Sequence, residues 1–180
     1  TTVNPMGFDI DKISNYDLSD EFIKKQNSIK ISYEKMNVIP SFSCIPYEIF
    51  DLPKKNSQVA FAETNAAIYV NSVEHLKTNK ESAFSALASA LTGKSPYSDL
   101  RKEKLDSPKL TIRMKVENPN ELTHGMLGFF AGKIADSTVR ISGVKNIDRR
   151  SCKSLCGGMG TSGQCGKFIL EEADDNSEKV

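Results

Sequence analysis

Apolar and polar positions along the chain change period several times, and each change marks an element. Phe22, Gln26, Ile29, Tyr33 and Met36 recur at helical spacing, four of the five apolar. Ser19 precedes them as an N-cap, with Asp20 and Glu21 in the first turn, where the helix dipole favours negative charge. The pattern predicts a helix from there to about Asn37, ended by Pro40. Residues 41–47 are short, flanked by prolines and without amphipathic period, so they read as strand-to-loop. Residues 59–61 suggest a brief buried strand, and 64–73 are small and apolar enough for a tightly packed helix or a strand. A clearer helix spans 82–91, with Phe84, Leu87, Ala88 and Leu91 on one face and Gly93 as its stop.

Residues 109–117 alternate strictly. Leu110, Ile112, Met114 and Val116 face one way and Thr111, Arg113 and Lys115 the other, as in a strand with one wet face. Asn120 caps a predicted helix through about Ala135 with the stripe Leu127, Phe130, Ala131 and Ile134. A strand at 138–141, a helix starting near Asp148, a Gly-rich turn at 157–166 and a last strand at 167–170 follow. Strands interleaved with helices indicate an α/β fold of layered domains. Two regions are expected, 1–108 and 109–180, with 94–108 and the acidic tail only weakly structured. There is no internal repeat.

Composition narrows the function classes. At 180 residues, 38% hydrophobic and 26% charged, the chain can bury a real core. Its 24 Lys and Arg against 23 Asp and Glu leave a net charge of +1, which argues against a dedicated nucleic-acid binder. No apolar run is long enough for a membrane span, and the N-terminal residues lack the layout of a secretory signal. Both polar ends suit a segment of a longer chain. Cysteines at 44, 152, 156 and 165 are too few and too clustered for a disulfide framework, so thiols and a cytoplasmic setting are expected.

Three groups of residues carry candidate chemistry. The loop from Gly157 to Lys167 resembles a phosphate-binding P-loop but fails it: five residues separate Gly160 from Gly166-Lys167, and Phe168 stands where Ser or Thr would coordinate magnesium. What remains is a tight turn, or small residues that let backbone amides approach an anion. Cys152 and Cys156 share a face if their helix holds; with Cys165 and Cys44 they offer four thiolates for zinc or an iron–sulfur cluster, against the plainer reading of buried, inert cysteines. Cys44 differs, lying beside Ser43 in a proline-flanked loop, the kind of place where ligands sit. The third group is the polar run Glu63, Thr64, Asn65, Asn71, Ser72, Lys77, Thr78 and Asn79, set among Ala66, Ala67, Ile68, Val70 and Val73. Such groups are costly to bury unpaired, so the run either bonds internally or presents polar groups to a ligand. His75 and His124 lie on separate segments, and no Ser–His–Asp spacing appears.

These segments carry a family resemblance. Ser43-Cys44-Ile45-Pro46-Tyr47 resembles the Thr-Cys-Thr-Pro-Tyr element of aconitase X proteins. Residues 59–73 (VAFAETNAAIYVNSV) are similar to their Ala-Glu-Ser/Thr-Asn…Ala-Asn-Ser-Val stretch, and Lys77-Thr78-Asn79 to the Arg-Thr-Asn that follows. Residues 88–96 (ASALTGKSP) resemble Ala-Ala-Leu-Thr-Gly-Arg-x-Pro, and Leu127-Gly128-Phe129 with Gly132-Lys133 resembles a Leu-Gly-Tyr…Gly-Lys helix. Lys77 stands where the family has Arg, and His75-Leu76 where it has a small Gly-Ala pair.

The resemblance implies an aconitase-superfamily fold of α/β domains around a cleft, completed by a small swivelling subunit, with this chain half or less of the large subunit. It implies a dehydratase acting on a small hydroxy acid, mevalonate 5-phosphate in isoprenoid synthesis or, alternatively, cis-3-hydroxy-L-proline. It also implies an iron–sulfur cluster, expected as 4Fe–4S, with Cys44 matching the first ligand and the others outside this chain. Water loss next to an acidic C–H needs a Lewis acid on the leaving oxygen, which iron with an open position supplies. By position, Thr64, Asn65, Asn71, Ser72, Lys77, Thr78 and Asn79 are the implied substrate contacts, and Glu63 orients them or handles a proton. The rival from another class is a non-catalytic metal- or cluster-binding module.

Overall fold

The computed structural model describes residues 1–4, 8–97, 99–102, 107–144 and 147–172. The expectation for the acidic tail beyond Glu172 and for residues 98 and 103–106 of the 94–108 stretch lies outside them. Contacts divide the chain into two units, Thr1–Leu52 and Pro53–Val180.

In the first unit, α1 (Asp20–Lys35) starts where Ser19 Oγ accepts the Phe22 N–H. It stops earlier than Pro40 would require. Asn37 turns left-handed at φ 57°, the Asn37 N–H reaches Glu34 O, and the Val38 N–H reaches Tyr33 O, closing a Schellman-type cap. Two short parallel strands, β1 (Thr2–Val3) and β2 (Ile39–Pro40), pair Thr2 with Ile39 and Val3 with Pro40. The expected apolar face of α1 is not covered: no residue of the helix is buried, and Phe22, Ile29 and Met36 are exposed. Val38 and Tyr47 are the buried apolar side chains of this unit among the described residues.

The second unit is built on a parallel sheet of β3 (Leu110–Arg113), β4 (Val139–Val144) and β5 (Phe168–Glu172), with β4 in the middle. Leu110 pairs with Val139, and Val139 with Phe168. Helices α4 (Glu121–Ile134) and α5 (Arg149–Ser162) are the two crossovers, as the alternation of periods predicts. The alternation in β3 holds through buried Met114, whereas Val116 is exposed. The 64–73 segment resolves as a helix, α2 (Thr64–Ser72), whose Ala66, Ala67, Ile68, Tyr69, Val70 and Asn71 are all buried. Residues 59–61 are half-buried and make only isolated bridges, Gln58 with Lys77 and Phe61 with Lys80, rather than a buried strand.

Three expectations fail, the last two for a common reason. No residue of α3 (Ala83–Thr92) is buried, and Phe84 is 82% exposed, although the left-handed Gly93 stop forms as expected; Ser82 stands before the helix as its N-cap, in a capping box with Ser85. In α4 the large residues Leu122, Met126, Phe129, Phe130 and Ile134 point outward, while His124, Gly128, Ala131 and Gly132 are buried. The Gly-rich "turn" is mostly helix: Gly157, Gly158 and Gly160 belong to the last turns of α5. A Cβ on Gly128 would run into the Leu155 carbonyl, one on Gly158 into the Gly125 carbonyl, and one on Gly163 into the Gly132 carbonyl. The glycines thus let α4 and α5 touch backbone to backbone, and no phosphate cradle forms there.

Candidate functional site

The polar run falls on α2 and on the segment after it, and its members have different surroundings. Glu63 is the N-cap residue of α2 but makes no side-chain cap bond, and it is half-buried. Thr64 and Asn65 follow in the first turn, where Gly160 of α5 comes close enough that an added Cβ would sit 3.2 Å from the Asn65 nitrogen. Asn71 and Ser72 lie at the other end. With a rise of about 1.5 Å per residue, Asn65 and Asn71 are separated by roughly 9 Å along the axis. The run therefore splits into a Glu63–Thr64–Asn65 group and a second group around Asn71.

In that second group the side chains bond internally. The Asn71 amide donates to Thr78 O at 2.9 Å and to Gly166 O at 3.2 Å, while its Oδ1 accepts the Thr78 N–H at 2.9 Å. Thr78 Oγ1 donates to Asn79 O and accepts the Phe61 N–H. Ser72 Oγ accepts the Phe168 N–H at 3.0 Å, fixing the start of β5 to the end of α2. Asn71 and Thr78 are buried, as uncharged groups with every bond made can be. One asparagine thus ties three segments together.

Lys77 sits half-buried at the start of this ladder, its N–H bonded to Ser57 O and its carbonyl to the Val59 N–H. Its neighbour in the ladder, Lys80, donates from Nζ to Gly163 O at 3.1 Å. Burial lowers the Lys80 ammonium's proton affinity. Lys167, on the strand side, is held below the usual lysine range by burial first and by the charge of Lys77 second.

One residue without a pattern in the sequence completes the frame. Arg101, in the stretch expected to be weakly structured, is only 2% exposed. It pairs with Glu81 at 3.0 Å, whose side chain is 8% exposed, and reaches Gln58 Oε1 and Lys77 O. Arg101 belongs to no periodic segment, and a lone charge in a loop gives no signal of what it will meet in space.

The cysteines separate in kind. Cys152, Cys156 and Cys165 are buried. Burial raises all three thiols, with Asp148 adding to the effect on Cys152 and Cys152 to that on Cys156, so the thiolate form that binds metal is disfavoured. Cys165 Sγ lies 3.0 Å from Ser137 O, a hydrogen-bonding position. Cys44 is exposed in the loop after β2, and its sulfur accepts a hydrogen bond from the Asn4 amide at 3.4 Å. Among the described residues no three His, Cys, Asp or Glu side chains are placed to hold a metal ion. The three buried cysteines of the second unit therefore form no metal centre of their own among the described residues. An exposed thiol with an amide donor on its sulfur fits the role of a single cluster ligand, in need of others from elsewhere. No helix among the described residues is long and apolar enough to cross a membrane.

Residues 1–103 match the family description "Aconitase X first domain" and residues 108–180 match "Aconitase X second domain". The chain is 34% identical over 175 residues to the phosphomevalonate dehydratase large subunit of Methanothermobacter thermautotrophicus, covering 95% of this chain and 43% of that one. It is 31% identical over 144 residues to the cis-3-hydroxy-L-proline dehydratase of Hypocrea jecorina, covering 78% of this chain and 24% of that one. The crystal structure of Thermococcus kodakaraensis aconitase X in its holo-form superposes with a TM-score of 0.83 at 26% identity, over 99% of this chain and 45% of that one. The chain spans less than half the length of these relatives. With both domain descriptions matched in order across nearly its whole length, and a parallel α/β fold shared with a solved relative, the chain belongs to the aconitase X family.

Proposed function

We propose that this chain is part of the large subunit of an iron–sulfur hydro-lyase that dehydrates mevalonate 5-phosphate in the cytoplasm, working with a small swivelling subunit. The observation that carries this reading is the similarity, over 95% of the chain, to a large subunit named for phosphomevalonate dehydration. Similarity to a cis-3-hydroxy-L-proline dehydratase supports that acid as the alternative substrate.

In this reading Cys44 is one ligand of a 4Fe–4S cluster whose other ligands come from outside these residues. The cluster, when bound, supplies a Lewis-acidic iron for the leaving hydroxyl. The chain's own residues bind and orient. Glu63, uncommitted to capping, holds or moves a proton, with Thr64 and Asn65 beside it on the first turn of α2. Lys77 and Asn79 contact the substrate's anionic groups. Asn71, Ser72 and Thr78 serve the substrate by fixing the backbone that carries those contacts, since their bonds run to Gly166, Phe168 and Phe61.

The test is anaerobic. The complete subunit is co-expressed with its small partner, iron and sulfide are reconstituted, and water loss from mevalonate 5-phosphate and from cis-3-hydroxy-L-proline is followed in parallel. Turnover of the first, abolished by Cys44→Ser, is expected. Turnover of the hydroxyproline alone would replace the substrate, and turnover of neither by a fully assembled enzyme would sink the dehydratase reading.

A further inference from the structure

The stretch from Lys77 to Glu81 is gripped at both ends by one side chain from outside it. Arg101 Nη1 donates to the Lys77 carbonyl at 3.4 Å and to Gln58 Oε1 at 3.1 Å, while Nη2 pairs with Glu81 Oε1 at 3.0 Å. Gln58 in turn donates from Nε2 to the Arg101 carbonyl at 3.2 Å. Because Gln58 is also the bridge partner of Lys77, the backbone that carries the Lys77 side chain is held by the guanidinium and by its neighbour together. The Lys77 carbonyl accepts the Val59 N–H as well, and Glu81 Oε2 accepts the Ser85 hydroxyl. Arg101 is itself seated by the residue before it: the Leu100 side chain lies against Gly166, whose carbonyl accepts from the Asn71 amide.

The ion pair is a poor stabiliser for its depth. The Arg101 and Glu81 side chains are 2% and 8% exposed, and taking both charges out of water offsets much of what their attraction returns. Among the described residues Arg101 Nε is buried with no hydrogen-bond partner, a cost that an apolar side chain of similar length would not carry. What the guanidinium provides instead is geometry. Its flat fork fixes Gln58 Oε1, the Lys77 carbonyl and Glu81 Oε1 at once, which the single ammonium of a lysine cannot do. Lys77, half-buried, projects its side chain from this fixed backbone.

We propose that Arg101 is a positioning residue that fixes the Lys77 backbone so that the Lys77 ammonium meets an anionic group of the substrate. The proposal rests on the reading of Lys77 as a substrate contact in a dehydratase. Arg101 acts through Lys77 rather than on the reacting atoms, so its share lies in substrate affinity and not in the chemical step.

The experiment uses the complete reconstituted two-subunit enzyme and the acid that it turns over. Two variants remove the fork. Arg101→Lys keeps a charge opposite Glu81, and Arg101→Met combined with Glu81→Leu removes the pair as a whole, leaving no charge buried alone. Each is expected to raise KM at least about tenfold with kcat within about threefold, and the double variant is expected to melt within a few degrees of wild type. In a Lys77→Met background, Arg101→Lys is expected to change KM less than about twofold, because the contact it positions is gone. Hydrogen exchange reads the clamp without turnover. The Val59 amide, bonded to the Lys77 carbonyl, is expected to exchange at least about tenfold faster in Arg101→Lys, while the Phe168 amide, bonded to Ser72, keeps its rate. Should Arg101→Lys fail to fold, the double variant carries both measurements. KM within about threefold of wild type in both variants, or an undiminished effect of Arg101→Lys in the Lys77→Met background, overturns the positioning role. If the fully assembled wild type turns over neither acid, the dehydratase reading falls by itself. Exchange then decides whether Arg101 holds Lys77, and an unchanged Val59 rate overturns that too.

Discussion

His75 holds its backbone at φ 57°, in the left-handed region that side chains with a Cβ enter at a cost. It stands at the first position of a pair that is Gly-Ala in the family pattern, and the structure gives the reason for a glycine there. The turn is fixed from outside, because the Asn56 N–H bonds to the His75 carbonyl at 2.8 Å and the Leu76 N–H to Val70 O. The side chain itself is exposed and has no packing to lose. Replacing His75 by Gly should therefore raise stability by about 0.5–1 kcal/mol, and replacing it by Val should lower it by about 1–2 kcal/mol, since a β-branched residue tolerates this region worst. Urea unfolding of the two variants measures both shifts; a loss on His75→Gly would show that the strain argument is wrong.

At the scale of elements, the contact between α4 and α5 is made by glycines set against carbonyls. Gly128→Ala drives a methyl into the Leu155 carbonyl of the facing helix, which is backbone and cannot rotate away. Gly157→Ala, with nothing near its added methyl, puts the same atom on the other side of α5. The first should cost about 1–3 kcal/mol and the second should be neutral or slightly stabilising, a contrast that thermal melts resolve. The same contact explains what the sequence conceals. Some caps and stops were legible: Ser19 and Asn120 each accept the N–H expected of an N-cap, Gly93 ends α3, and from β3 to β5 the order of strand and helix was correct. Facing was not legible for α4, because a stripe of large apolar residues is normally the buried one, and here close backbone approach turns the small residues inward. Phe84 and Leu122, at 82% and 71% exposure, break the rule in the same direction. The Gly-rich stretch misled similarly: its glycines signal a turn when counted alone and a helix interface once the partner helix is present. In the candidate site, the polar run was visible as a cluster of costly groups, but not which of them bond to each other. Asn71 finds Gly166 at a separation of 95 residues, and no local pattern encodes that.

Across the whole molecule, the second unit is held by contacts that disregard chain order. The segment before Lys94 contributes α2, the Asn71 and Ser72 bonds and the Glu81 carboxylate; the segment after it contributes α5, β5 and Arg101. Between them, residues 94–97 are exposed. The covalent link there is thus separate from the forces that join the two sides. A single tryptic cut after Lys94 should leave both pieces in one particle on a sizing column, parting only in denaturant. Melting of the nicked form should then depend on protein concentration, as for a dimer, whereas that of the intact chain should not. Pieces that separate in native buffer would mean that the Asn71 and Arg101 bonds are weaker than their burial suggests. In effect this unit is a heterodimer written on one chain, and a gene divided at that point should still yield it by complementation.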